Sequence, residues 1–172
     1  MIQAIQEDET PNIFALHYDP DEWRVRNLIL IPRFAYSQKD ILRRAPLSPA
    51  ARRHDWVGCD ISLRAIPQRA RITVILDGVP ISPTAVRQEF ERLKPLQNVR
   101  TKVRGWTLDV LLIVESLGKP EFDLPEVYAH EEKLRKLHLR NRHVQPKIRQ
   151  QLQKLRDLEL LTFLGGGRYR LR

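Results

Sequence analysis

The sequence predicts an α+β protein whose C-terminal part is a winged helix-turn-helix domain. Three observations predict it. The first half holds two β-branched apolar runs, Leu28-Ile29-Leu30-Ile31 and Ile72-Thr73-Val74-Ile75-Leu76. The second half holds three amphipathic segments followed by a Gly-rich hairpin. Positive charge gathers at the same end: residues 1–97 hold 14 Lys/Arg against 12 Asp/Glu, whereas residues 98–172 hold 16 against 9. From His138 to the end the count is 9 against 2.

A chain of 172 residues with 42% apolar residues can bury a real core, as one ordinary domain or two small ones. A net charge of +9 suits a polyanionic partner. The single cysteine, Cys59, excludes an internal disulfide and a cysteine-rich metal site within the chain. No apolar run reaches membrane-span length and no signal-peptide pattern opens the chain. The expectation is a soluble, cytoplasmic, monomeric protein with no membrane partner.

Residues 2–9 read as the end of a helix, with Ile2 and Ile5 on one side. Asn12 to Tyr18 is strand-like. Asn27 to Pro32 is a continuous apolar run bounded by proline, the pattern of a strand buried on both faces. Ser37 is a plausible N-cap for a short helix reaching Arg43 or Arg44. Residues 46–68 carry prolines and little periodicity, so they read as loop. Within them lies Arg52-Arg53-His54-Asp55-Trp56-Val57-Gly58-Cys59, where Arg52, Arg53 and Trp56 have the chemistry to meet a phosphate backbone and a base face. Composition alone favours a plainer reading, with Trp56 plugging a core and the arginines solvated. Arg71 to Asp77 is a second strand closed by Asp77-Gly78, and Thr84 to Leu93 a helix. The basic stretch 98–104 is taken as a linker between a domain at 1–97 and the winged helix at 105–172.

Trp106 to Leu117 has apolar residues at helical spacing and ends at Gly118. A second helix opens at Leu124-Pro125-Glu126 with Asp123 as N-cap, and Val127, Leu134 and Leu137 continue its apolar face. The third starts near Val144. At 100° per residue, Val144, Ile148, Leu152 and Leu155 fall in one narrow stripe. Lys147, Gln150, Gln153 and Lys154 point away from it, with Arg149 and Gln151 on the flanks. Gln pairs with adenine, and Lys or Arg with guanine or phosphate. Leu160 to Phe163, Gly165-Gly166-Gly167 and Arg168 to Arg172 then form a hairpin, the wing. Lys147, Gln150, Gln151, Gln153 and Lys154 are the candidates for a DNA groove, with Arg140, Arg142, Arg168 and Arg170 for phosphates. His143, Arg149 and Tyr169 complete the candidate set. The plainer alternative is a solvated amphipathic helix. The narrow stripe, lacking bulky aromatics, argues against a membrane surface.

Catalytic motifs are scarce. Metal-dependent DNA cleavage uses an acidic residue and a Glu-x-Lys on neighbouring strands to hold a cation and orient water. The one Glu-x-Lys, Glu131-Glu132-Lys133, lies on a predicted helix. The histidines show no metal spacing, and Gly165-Gly166-Gly167 lacks the Lys-Ser/Thr of a phosphate-binding loop.

The residues resemble a known family. The strings Pro11-Asn12-Ile13-Phe14, Arg44-Ala45-Pro46-Leu47-Ser48-Pro49-Ala50-Ala51-Arg52-Arg53, Trp56-Val57-Gly58-Cys59, Arg104-Gly105-Trp106-Thr107, Lys147-Ile148-Arg149-Gln150-Gln151-Leu152 and Gly167-Arg168-Tyr169-Arg170 are similar to the C-terminal two-thirds of the DpnI-like, Dam-replacing family of methyl-directed restriction endonucleases. The resemblance implies the remnant of a PD-(D/E)xK nuclease α/β domain followed by the winged helix, and double-stranded DNA, adenine-methylated at GATC, as partner. It implies a divalent metal such as Mg and a structural Zn for the family, both bound upstream of the segment matching Met1. On that alignment no cofactor and no catalytic residue belong to this chain, and a misplaced start, a remnant gene and a fragment remain open. Missing strands would leave the run Leu28 to Ile31 at a sheet edge. The resemblance also raises the standing of Arg52, Arg53 and Trp56 as DNA contacts. The rival readings are a non-enzymatic winged-helix transcription regulator and an active nuclease with a longer reading frame.

Overall fold

The computed structural model describes residues 10–54 and 56–172; the expected helix end at 2–9 lies outside them. Strand β1 (Ile13–Asp19) turns into β2 (Arg24–Ile31). The turn forms because the Asp19 carboxylate accepts from the backbone N–H groups of Asp21 and Glu22, both at 3.1 Å. Strand β5 (Ile72–Leu76) pairs with β2 on its other side, and β6 (Val79–Pro80) follows β5. Asp77 and Gly78 both have positive φ, 48° and 81°, as a tight primed hairpin turn requires. The sheet order is β1-β2-β5-β6, all antiparallel.

The apolar run Leu28 to Ile31 therefore lies inside the sheet, between β1 and β5, and not at an edge. Full burial is confined to Leu30 and Ile31, where Phe34, Ala35 and Tyr36 turn back over the sheet end. One face of β1 stays open, with the alternating Phe14, Leu16 and Tyr18 exposed.

Ser37 caps a helix, as its sequence suggests, but only a single 3-10 turn, Gln38–Asp40, closed by a Ser37/Asp40 capping box. The chain then extends as β3 (Ile41–Arg43), which pairs with β4 (Cys59–Ile61). Extension wins because Ile41 finds a cross-strand partner in Ile61. The loop 44–58 is thus anchored at both ends by one two-stranded pair. Helix α1 (Pro83–Leu93) is capped by Ser82, whose hydroxyl accepts from Ala85 N.

Helix α2 (Thr101–Ser116) begins within the stretch read as a linker, so residues 101–104 are helical. It is the central helix. Trp106, Leu108, Val110, Leu111, Ile113 and Val114 are all buried, so it is covered on nearly every side. A short strand that periodicity did not reveal, β7 (Glu121–Asp123), precedes α3 (Leu124–Tyr128). Asp123 and Glu126 form the capping box of α3.

The predicted second helix is two helices. It breaks at Ala129 and His130, then resumes as α4 (Glu131–Leu137). The break turns α4 so that Leu134 is buried while Leu137 stays 47% exposed. Helix α5 (Val144–Asp157) follows, with Val144, Ile148, Leu152 and Leu155 buried as the stripe predicts. The wing is β8 (Leu161–Gly165) and β9 (Arg168–Leu171). β9 lies between β8 and β7 in a three-stranded sheet.

Candidate nucleic-acid interface

Helix α5 is held from behind by its apolar stripe, which packs on α2, α3, α4 and β8. That leaves Gln150 and Gln153 exposed and Lys147 and Lys154 half-buried along the outward side. Lys147 Nζ donates to Gln150 Oε1 at 2.6 Å. Burial, and then repulsion from Lys154, hold the Lys147 ammonium below the ordinary lysine pKa. Two cations that raise each other's cost are placed where a phosphate would relieve both.

Arg149 takes another direction. Its guanidinium donates to the Tyr128 hydroxyl and lies over that ring, 5.7 Å from the centroid. It is exposed but anchored to α3.

Two candidates are not on the surface. Gln151 is fully buried and accepts a 2.7 Å hydrogen bond from Thr107 on α2. The helical wheel placed it on a flank; the close approach of α2 covers that flank. Tyr169 is 8% exposed, with its ring stacked on Phe122 at 5.6 Å and tilted against Phe163 at 5.2 Å. It is the aromatic centre of the wing sheet, made so by β7, the strand the sequence reading did not contain. Both side chains are covered by neighbouring elements of the fold.

The loop before α5 carries Arg140, Arg142 and His143, all exposed. The two arginines make no hydrogen bond or ion pair with described residues. The loop starts from His138, whose Nε2 is 2.8 Å from Asp109 Oδ2 and whose ring stacks on Trp106 at 3.9 Å between centroids. Asp109 is buried, and Lys39 Nζ lies 2.7 Å from its Oδ1. That oxygen has no hydrogen bond of good geometry among the described residues, so the Lys39 contact is ionic. Burial alone would lower the Lys39 pKa; Asp109 and Asp40 overcome this, and the net direction is upward. These groups line a cleft of about 1060 Å³ between residues 37–39, α2 and the arginine loop. A sequence scan could not have joined Lys39, Asp109 and His138, which come from three separate segments.

In the wing, Arg168 is exposed and free of ion pairs with described residues, whereas Arg170 pairs with Glu121 at 2.7 Å across β7. The three wing glycines Gly165, Gly166 and Gly167 all have positive φ. Their lack of a Cβ is what allows so tight a tip.

The loop 44–58 presents Arg52, Arg53 and Trp56 to solvent, with Trp56 51% exposed. The plainer reading of Trp56 as a core plug does not hold. Its indole rests on the backbone at Gly58, where an added Cβ would come within 2.8 Å of the ring. The structure brings Lys147, Gln150, Gln153 and Lys154 onto one side of α5, next in sequence to the Arg140–Arg142 loop; the Trp56 loop is a separate feature of the first half.

The arrangement of α4, turn, α5 and wing is that of a DNA-binding helix-turn-helix domain. The model of the Dam-replacing HTH domain, DpnI type, matches residues 102–171, and that of the Dam-replacing family DpnI matches residues 1–99. The chain belongs to the Dam-replacing DpnI family. The matched stretches run from residue 1 to residue 171, so family sequence extends through both halves. DNA is the partner of a DpnI-family chain of this kind, in a restriction-type protein. No helix among the described residues is long and apolar enough to cross a membrane. Among the described residues no three His, Cys, Asp or Glu side chains gather to hold an ion. Glu131 and Glu132 of the lone Glu-x-Lys are paired with Arg135 on the surface of α4.

Proposed function

We propose that this chain reads duplex DNA at adenine-methylated GATC sites, as the DNA-binding part of a DpnI-type methyl-directed restriction endonuclease. The observation that carries the reading is the outward side of α5. Lys147, Gln150, Gln153 and Lys154 form a row of donors and cations at the spacing of one helix face, the shape and chemistry a major groove accepts. Arg140, Arg142 and Arg168 flank it as phosphate contacts and set its register on the duplex.

The methyl dependence rests on Trp56. An N6-methyl group projects into the major groove, and an exposed indole offers it an apolar face without a competing hydrogen bond. Arg52 and Arg53 on the same loop supply backbone contacts. The Asp…Glu-x-Lys metal motif of the family is not in this sequence, so the purified chain is proposed to bind without cutting.

The test is a titration with a short GATC duplex, adenine-methylated or unmethylated, at one moderate salt concentration. A clear preference for the methylated duplex supports the reading, as does loss of that preference in Trp56→Ala. Equal binding to both overturns it and leaves a methylation-blind winged-helix regulator. Magnesium-dependent cleavage by the purified chain, abolished by EDTA, overturns the non-cutting part alone.

A further inference from the structure

Gln150 is held in an orientation that decides what it can read. A lysine ammonium only donates hydrogen bonds. Lys147 Nζ is 2.6 Å from one amide atom of Gln150, so that atom is the carbonyl oxygen, Oε1. The same oxygen accepts a second bond, from Gln151 Nε2 at 3.2 Å. Gln151 must then turn its own carbonyl the other way, where Thr107 Oγ1 lies at 2.7 Å. Thr107 has one proton and a second acceptor nearby, the Val103 carbonyl at 3.1 Å. The proton goes to Gln151, because the opposite sense fails. If Gln151 turned its NH2 toward Thr107, its carbonyl would face Gln150. Gln150 would then have to present NH2 both to that carbonyl and to Lys147, donor against donor at 2.6 Å. One cation therefore sets the sense of the whole row.

We infer that Thr107 and Gln151, both fully buried, act as positioning residues that make Gln150 a donor-only reader of a hydrogen-bond acceptor on a base edge. Both acceptor sites of its carbonyl are occupied, and no described residue engages its Nε2. Paired recognition of adenine needs an amide acceptor for N6–H beside a donor for N7. Gln150 offers only the donor half. Its partner is a purine N7, guanine O6 or thymine O4. N6-methylation leaves guanine N7 and O6 and thymine O4 untouched, so at those atoms Gln150 reads sequence and is indifferent to the methyl group. This rests on the reading of α5 as the groove-facing helix.

The experiment compares wild type with Gln150→Arg, Gln150→Glu and Thr107→Val in competition between GATC duplexes altered at one base pair at a time. Gln150→Arg, a donor-only side chain, keeps the ranking of duplexes; Gln150→Glu, acceptor-only, erases it at one position. Thr107→Val keeps the shape and removes the proton. It lowers discrimination at that same position about five- to tenfold while binding to a random duplex is unchanged. A ranking kept by Glu and lost by Arg, or untouched by Thr107→Val, overturns the inference. Hydrogen exchange of the Gln151 side-chain amide in the free, 15N-labelled protein tests it without DNA. Slow exchange in wild type that becomes fast in Thr107→Val supports the inference. Exchange as fast as that of exposed Gln153 overturns it. A wild-type chain with no sequence preference at all fails the groove reading, whereas fast Gln151 exchange fails only the positioning.

Discussion

Single side chains here divide the labour of recognition by chemistry. Lys147 gives the most direct handle on charge. Burial and Lys154 lower its pKa, so as pH rises it loses its proton before an ordinary lysine does. A phosphate beside it favours the charged form, so DNA binding takes up protons and weakens as pH climbs through the lowered value. The expected outcome is an alkaline loss of affinity in wild type that is much smaller in Lys147→Arg, because arginine keeps its charge throughout. Affinities measured across the alkaline range check it; identical profiles would refute it. Gly58 offers a second residue-scale expectation. An alanine Cβ would meet the Trp56 ring at 2.8 Å, and the ring, a side-chain end, moves rather than the backbone. Gly58→Ala is expected to fold normally and to lose the preference for methylated over unmethylated duplex. The charged candidates were legible in the sequence because exposure is the ordinary state of Lys and Arg. Gln151 and Tyr169 were misplaced for one reason: what covers them comes from elsewhere in the chain, Thr107 on α2 and Phe122 on β7.

Helices and strands repeat that lesson at larger size. The stripe of α5 was readable because a 3.6-residue period states which side is buried, whatever buries it. Ile148 is at its centre and fully buried, so Ile148→Ala should cost about 2–5 kcal/mol, read as a fall in the denaturation midpoint. The wing tip was readable from its glycines. Gly166→Ala places a side chain at φ 59°, at a cost of about 1–2 kcal/mol. Nothing in the structure lies within 4 Å of the added Cβ, so the strain is purely backbone. β7 was not legible: three residues, alternating exposed, buried and exposed, are too few to show a period. They become a strand only because β9 offers an edge. The 3-10 turn after Ser37 was half legible. The cap signal was genuine, but the length of the helix it starts was decided by the partner strand β4.

The molecule as a whole joins its halves through polar contacts that no periodicity encodes. Glu115 on α2 accepts from the backbone N–H groups of Gln68 and Arg69 at 2.7 and 2.8 Å. Arg69 reaches on to the carbonyl of Arg172, and Lys39 meets Asp109 beneath the arginine loop. The Trp56 loop and α5 are thus carried by halves that are tied together. Their distance in sequence hides that tie. Binding to phosphates makes the tie measurable through salt. Arg52, Arg53, Arg140, Arg142, Lys147, Lys154 and Arg168 are the seven cations assigned to DNA, and each neutralised phosphate releases counterions. The logarithm of the binding constant should fall against the logarithm of salt with a slope of about −6. Removing Arg140 alone should reduce that slope by about 0.9 and weaken methylated, unmethylated and random duplexes alike, because a phosphate contact carries no sequence. Glu115→Ala should behave differently. It leaves two backbone donors without their acceptor, so the unfolding midpoint falls, while the slope stays, since no cation has been lost. A slope that drops in Glu115→Ala would mean that the Trp56 loop and α5 depend on the junction to meet the duplex together. The salt titration then separates a residue that touches DNA from one that holds the two halves in place.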